Sequence, residues 1–333
     1  MAESKGILVY GEVIKGDLAA ISKELLTVGK KLADDLGEEL LYLFMGSGLQ
    51  DIGQKAISFG ADEVYLVDQP AIAEYHPELY TSVVSHLCQQ ITPSILLFGQ
   101  TDIGRDLAPR LAARFGSGLC MDCIELSINQ EEKLLMATRP VYGGNALAIK
   151  IFEKARPQIA TVRPKSVSAA EPDISRRGEI IKVDIRIDEV VAKMKVVDRI
   201  KEEAEGIKLE DAEVVLVGGR GIGGKEGFDG LYELAHLLRG AVGGTRASCE
   251  EGWLPTSLQV GQTGKIVSPN LYIAVALSGA MQHLAGCSGS KNIVAINKDP
   301  EANIFKVARF GVVGDYRQAI PALIAKIKEL MKE

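Results

Sequence analysis

Four short blocks in the second half of the chain carry polar side chains where the surrounding apolar pattern does not call for them. They are Gly244-Thr-Arg-Ala247, Gln259-Val-Gly-Gln-Thr-Gly-Lys265, Leu277-Ser-Gly-Ala-Met-Gln-His-Leu284 and Ile296-Asn-Lys-Asp-Pro300. In open α/β sheets ligands bind beyond the carboxyl ends of the strands, so blocks next to strand-like runs can converge on one crevice. The third block is the clearest case. The run Leu271 to Leu277 ends in Ser278-Gly279, and a helix then begins at Ala280-Met-Gln-His. Small residues at a helix start let backbone N–H groups meet a pyrophosphate. His283 falls in the first turn, within reach of such a ligand, although a plain core or surface histidine fits the sequence equally well.

A fifth feature is the turn Gly219-Arg-Gly221-Ile-Gly-Gly224, which has the form G-x-G-x-x-G between a strand and a helix. That form suits phosphate binding by backbone amides, and it suits a tight strand-to-helix turn with no ligand just as well. A dinucleotide fingerprint also needs an acid about 20 residues further on for the ribose hydroxyl. The stretch Leu238 to Arg246 supplies none, which disfavours a nicotinamide cofactor. Cys120-Met-Asp-Cys123 matches C-x-x-C, but it has no second pair and no nearby histidine, so it reads as packing, and no metal site is expected.

The elements that must position these groups alternate between strand and helix, as in an α/β sheet of mostly parallel strands. In the first half the strands are Ile7 to Tyr10, Leu40 to Phe44, Glu63 to Val67 and Ser94 to Phe98. Helices are expected near 18–35, 48–58, 77–91 and 102–114. From Ile124 to about Arg186 shorter runs (Leu134 to Thr138, Ala146 to Phe152, Ile159 to Val162, Ile180 to Ile187) suggest antiparallel strands. After a charge-dense stretch from Glu189 to Asp211 the rhythm restarts with Glu213 to Val217 and a helix from Asp229 to Leu238. Strands follow at Leu271 to Leu277, Asn292 to Asn297 and Gly311 to Val313, and an amphipathic helix closes the chain. The expected organisation is an N-terminal α/β domain over 1–190, a linker over 191–210 and a second domain over 211–333.

Composition sets the outer bounds. A chain of 333 residues is about twice the usual domain length, so two cores are expected. Hydrophobic residues at 47% and charged residues at 25% are ordinary for a globular protein. A net charge of -6, with 38 Lys and Arg against 44 Asp and Glu and no basic stripe, argues against nucleic acid as a partner. No apolar run approaches the ~18 residues of a membrane span, and Met1 to Lys5 leads straight into a strand, so a cytoplasmic protein without membrane insertion is expected. Five scattered cysteines point to reduced thiols.

At this point the sequence resembles the electron-transfer flavoprotein alpha subunit over nearly its whole length. The resemblance is carried by Gly99-Gln-Thr-Asp-Ile-Gly-Arg-Asp-Leu-Ala-Pro-Arg-Leu-Ala-Ala-Arg-Phe-Gly116, Arg139-Pro-Val-Tyr-Gly-Gly144 and Val260-Gly-Gln-Thr-Gly-Lys-Ile-Val267, together with Ser278-Gly-Ala-Met-Gln-His-Leu-Ala-Gly286 and Ala295-Ile-Asn-Lys-Asp-Pro-Glu301. It implies two Rossmann-like three-layer α/β domains, the second a DHS-like FAD-binding domain with a mostly parallel sheet. It also implies a heterodimer with a beta subunit, which the first domain faces.

Carried over position by position, the resemblance implies FAD contacts at Arg220, Thr245, Arg246, Val260, Gly261, Gln262, Thr263, Ser278, Gly279, Ala280, Met281, Gln282, His283, Asn297, Asp315 and Tyr316. A flavin gains negative charge on reduction, and Arg246 and His283 could meet it with positive charge or donors near N1 and the C2 carbonyl. Thr263 would hydrogen-bond N5, Gln262 the ring or ribityl chain, and Asn297 and Asp315 the adenosine end. The sequence departs from the family pattern at Thr245, where serine is usual, at Cys249-Glu250, where Val-Asp is common, and at Cys287, where methionine is usual.

The function so implied is an electron carrier with no catalytic residues of its own. It would shuttle electrons between a dehydrogenase such as acyl-CoA dehydrogenase, as in fatty acid β-oxidation, and an acceptor such as a membrane-bound quinone oxidoreductase. Membership of an electron-bifurcating heterodimer is compatible with the same residues. The alternatives are an NAD(P)-dependent Rossmann-type oxidoreductase and a non-redox nucleotide-binding scaffold.

Overall fold

The computed structural model describes residues 5–144, 146–184 and 207–331. The chain divides into two compact units: Met1–Pro140 with Leu147–Ile200, and Val141–Ala146 with Lys201–Glu333. Most of the linker expected at 191–210 lies outside the described residues.

The first unit contains strands β1 (Ile7–Gly11), β2 (Val13–Ile14), β3 (Asp17–Leu18), β4 (Leu40–Gly46), β5 (Glu63–Asp68), β6 (Ile95–Gly99), β7 (Leu119–Cys123), β8 (Glu125–Asn129), β9 (Leu134–Val141), β10 (Ala146–Ile151), β11 (Gln158–Val162) and β12 (Glu179–Lys182). Its helices are α1 (Ala20–Leu36), α2 (Ile52–Ser58), α3 (Pro77–Ile91) and α4 (Asp102–Phe115). Seven strands form a parallel sheet in the order β12-β5-β4-β1-β6-β11-β7. Every residue of β1, β4 and β6 is buried, because a parallel sheet carries helices on both faces and its inner strands read as unbroken apolar runs. Thr101 caps α4, its Oγ1 accepting from the Gly104 N–H at 3.1 Å.

The antiparallel expectation for 124–186 holds only in part. Strands β8, β9 and β10 form a separate three-stranded sheet, with β8 and β9 antiparallel. In contrast, β11 and β12 join the main sheet as parallel strands. All five residues of β11 are buried, which is the mark of an interior parallel strand. Strand β7 contains a bulge beside β11, where Asp122 takes φ 63° and Arg163 grips its carboxylate with Nε and Nη2 at 2.8 and 2.6 Å. Cys120 and Cys123 flank this bulge as free, buried thiols in the apolar core.

The second unit contains β13 (Val214–Gly218), β14 (Ala241–Gly244), β15 (Leu271–Val275), β16 (Asn292–Asn297) and β17 (Phe310–Val313). Its helices are α5 (Asp229–Leu237), α6 (Arg246–Glu250), α7 (Met281–Leu284) and α8 (Tyr316–Leu330). The five strands form a parallel sheet in the order β14-β13-β15-β16-β17. Alternate residues feed two cores: Val215, Val217, Tyr272 and Ala274 pack on one face, and Leu216, Ile273 and Val275 on the other. Strand order reverses between β13 and β15, the point in such sheets where a crevice opens beyond the strand ends.

Candidate functional site

A cavity of about 700 Å³ lies at that reversal in the second unit. Arg220 and Gly221 reach it from the end of β13, Thr245, Arg246, Ala247 and Glu250 from the end of β14 and from α6. The stretch Ala276 to Ala280 reaches it from the end of β15, with Gln282 and His283 on α7. Asn297 and Asp299 follow β16, and Gln259 to Thr263 close one wall. The four polar blocks read from the sequence therefore meet around one space.

Local hydrogen bonds fix the lining. Thr245 caps α6, and Ser248 ties that helix back to β13 by donating to the Gly218 carbonyl at 2.8 Å. The Arg246 Nε donates to Glu250 Oε1 at 2.7 Å. Gln259 Nε2 donates to the Thr263 hydroxyl at 2.9 Å, which orients it and leaves its own proton for another acceptor. The Gln262 N–H donates to the Gln282 carbonyl at 2.7 Å and so joins the closing loop to α7. Asn297 Nδ2 donates to the Leu277 carbonyl at 2.7 Å, while its Oδ1 accepts from the Asp299 N–H at 3.0 Å. Ala280 caps α7 without a side-chain acceptor, so no side chain competes for the first amides of that helix.

Three of the expected contacts do not line this cavity. Met281 is half exposed and lies against Gly143 of the segment grouped with this unit. Asp315 caps α8, accepting from the Arg317 N–H at 2.9 Å, and lies 3.0 Å from Lys298 Nζ; the backbone N–H and the lysine hold its carboxyl below the usual range. Tyr316 is buried and donates to the Ile222 carbonyl at 2.7 Å. With Arg317 it lines a smaller cavity of about 420 Å³ beside Gly223 and Gly224. The other thirteen expected positions all reach the large cavity.

Two readings of the chemistry change. His283 is buried, with Nδ1 3.1 Å from the Val260 carbonyl oxygen and Nε2 2.8 Å from the Tyr272 hydroxyl. Burial pushes its pKa down to about 4, which favours the uncharged ring near neutral pH and leaves Arg246 as the source of positive charge. The glycine turn also differs. Gly219 and Gly221 donate their N–H groups to the Val275 and Ala276 carbonyls at 2.9 and 3.1 Å, so those amides serve the fold. A Cβ at Gly219 would stand 2.4 Å from the Ala276 oxygen, which explains the glycine by backbone approach.

Sequence reasoning missed Gln259, Glu250 and Asp299 as lining residues. Glu250 was detectable, because an acid four residues after Arg246 on a helix faces it. Gln259 and Asp299 sit inside blocks already singled out but act on other lining residues, which spacing alone does not show.

Residues 7–187 match the electron transfer flavoprotein domain, and residues 208–288 match the electron transfer flavoprotein FAD-binding domain. The chain belongs to the electron-transfer flavoprotein alpha-subunit family. It is 45% identical over 330 residues to the electron transfer flavoprotein subunit alpha of Thermoanaerobacterium thermosaccharolyticum, covering 99% of this chain and 100% of that one. It is 42% identical over 331 residues to the subunit of the same name from Megasphaera elsdenii, covering 99% and 98%. The LctC subunit of the lactate dehydrogenase (NAD(+),ferredoxin) of Acetobacterium woodii is 36% identical over 324 residues, covering 97% of this chain and 77% of that one. Members of this family are electron-transferring subunits that pair with a beta subunit, and FAD is their cofactor.

The lining fits that cofactor. It sets the guanidinium groups of Arg220 and Arg246, the hydroxyls of Thr245, Thr263 and Ser278, and the amide of Gln262 around one space at the strand ends. Cations and donors of this kind suit a pyrophosphate and a flavin that becomes more negative on reduction.

Proposed function

We propose that the large cavity of the second unit is the FAD site of an electron carrier. Arg220, Thr245, Arg246, Val260, Gly261, Gln262, Thr263, Ser278, Gly279, Ala280, Gln282, His283 and Asn297 form its contacts. The reading is supported by one observation: these residues come from five separate stretches of chain, yet all line the same space at the strand-order reversal. Met281, Asp315 and Tyr316 act from outside that space, Asp315 by holding the Lys298 side chain and the start of α8.

Bound FAD supplies one- and two-electron chemistry, and this chain's residues orient it and set the charge around it. Arg246 presents positive charge to the cavity. Thr263, oriented by Gln259, offers a hydroxyl proton at one fixed point, which serves as the N5 partner. Gln262, held against α7, places its side-chain amide for the ring or ribityl chain. With its beta subunit, the first unit as the partner-facing half and the second carrying FAD, the chain passes electrons between an acyl-CoA-type dehydrogenase and a quinone oxidoreductase in the cytoplasm. A heterodimer that bifurcates electrons is the variant of this reading favoured by the likeness to the LctC subunit, whose name couples NAD(+) and ferredoxin. Among the described residues no helix is long and apolar enough to cross a membrane.

Co-expression with the beta subunit, followed by visible absorbance and a count of flavins per heterodimer, tests the reading. The expected result is yellow protein with at least one FAD whose binding is weakened by Arg246→Ala and by Ser278→Ala. Protein that stays colourless after incubation with FAD would defeat it.

A further inference from the structure

The position of the ring proton on His283 follows from its two neighbours. The Val260 carbonyl can only accept, so Nδ1, 3.1 Å away, must carry the hydrogen. In the uncharged ring Nε2 is then a lone pair, and the Tyr272 hydroxyl, 2.8 Å away, must donate to it. The Cys287 thiol is a near neighbour of the same hydroxyl. Tyr272, at the second position of β15, and Cys287, just after α7, are both completely buried. Tyr272 thus donates to His283, and the one imidazole N–H is spent on Val260.

We propose that Tyr272 is a positioning residue for the FAD site: its hydroxyl, 2.8 Å from Nε2 of His283, holds the imidazole in the single Nδ1–H form with both nitrogens turned into the fold. The inference rests on the FAD reading of the cavity and adds to it a residue that does not line the cavity. Its consequence is that His283 gives the cofactor a neutral wall, without a ring N–H to donate. Positive charge in the cavity then comes from Arg246 and Arg220, set against Glu250 and Asp299. On the buried side the ring nitrogens face the Tyr272 hydroxyl and the Val260 carbonyl. Neither partner carries a charge to draw a second proton onto the ring, so the field at the cofactor stays constant where a free histidine would switch.

The test is nitrogen-detected NMR of the full chain labelled with 15N-histidine and paired with an unlabelled beta subunit, recorded with FAD and after its removal. The chain has 4 histidines, and His283 is assigned by comparison with His283→Asn. The expected wild-type spectrum shows Nδ1 protonated, Nε2 unprotonated and no titration between about pH 5 and 8. Tyr272→Phe should lose the single tautomer and shift the midpoint potential of bound FAD. Cys287→Ala, which leaves the tyrosine-to-histidine bond in place, should keep the tautomer. A proton on Nε2, or a titration in that range, overturns the proposal even if Tyr272→Phe does not fold. A Tyr272→Phe spectrum identical to wild type overturns it too. Failure to bind FAD would instead sink the cofactor reading, while the FAD-free spectrum still reports the tautomer.

Discussion

Arg246 and Glu250 stand one turn apart on α6, and their side chains meet at 2.7 Å where both line the cavity. Part of the positive charge offered to FAD is thereby met within the protein. Both side chains are largely exposed, so the pair itself contributes only ~0.2–1 kcal/mol. Its effect on a reduced flavin is more informative. Arg246→Ala should lower the midpoint potential, and Glu250→Gln, which releases the arginine, should raise it by on the order of 10–40 mV per electron, the same energy expressed as a potential. Redox titration of the FAD-loaded heterodimer checks both, and equal potentials in the three proteins would remove Arg246 from this role.

Much of this arrangement was legible in the sequence, and the exceptions have physical causes. Runs such as Leu40 to Phe44 announce interior strands because both faces are buried. Strand β14 is four residues, two of them glycine, and carries no periodic signal, so only its pairing with β13 reveals it. The cavity lining was readable because its residues break apolar patterns at strand ends. The charge state of His283 was not, since it follows from how deeply the fold buries the ring, which its place in the chain does not show. Asp315 and Tyr316 stand apart from that lining for a related reason. A helix cap and a core hydroxyl use the same residue types that a ligand would require.

The bulge in β7 makes a separate prediction about the first unit. Arg163 is 5% exposed and Asp122 16%, so the pair is held largely out of water. Asp122 also sits at φ 63°, a conformation that aspartate tolerates better than most side chains. Asp122→Ala removes both advantages and should destabilise the protein by about 1–3 kcal/mol, the usual cost of losing a charge-assisted hydrogen bond in a buried place. Asp122→Asn, which keeps the backbone preference, should cost less. Chemical denaturation of the three proteins decides the matter, and a loss under ~1 kcal/mol in the alanine variant would show the pair to be effectively solvated.

Gly279 links the fold to the cavity more directly. It takes φ 77°, and a Cβ there would stand 2.3 Å from the Ile304 nitrogen and 2.6 Å from its Cα. Backbone cannot yield as a flexible side chain would, so Gly279→Ala must push the Ser278 to His283 segment toward the cavity. The left-handed conformation alone costs an alanine roughly 1 kcal/mol or more. FAD content per heterodimer should collapse while the first unit keeps its structure, which absorbance and limited proteolysis can follow together. A variant that retains full FAD would show that the segment can move without consequence.

The carboxyl end of β1 in the first unit holds a contrasting arrangement. There the Glu12 carboxylate accepts from the Thr101 hydroxyl at the start of α4, and its own N–H donates to Ser22 Oγ at 2.7 Å. Strand order reverses between β1 and β6 as well, so the protein's own carboxyl occupies the kind of place proposed for FAD in the second unit. Burial raises the Glu12 pKa to about 7, opposed by the Thr101 hydrogen bond and assisted by Asp102. A carboxyl raised in the folded state binds its proton more tightly there than in the unfolded chain. Its stabilising contribution is therefore complete below the unfolded value of about 4.5 and lost as pH rises through about 7. Glu12→Gln keeps an oxygen for Thr101 and has no charge to form. It should match wild type near pH 4.5 and exceed it in stability by about 1–3 kcal/mol at pH 8, most of the gain appearing between those two pKa values. Glu24, also raised to about 7 by burial, adds a similar slope to both proteins and cancels in the difference. Melting curves of the two proteins at acid and alkaline pH provide the measurement, and a stability difference independent of pH would mean that Glu12 is already ionised in the fold.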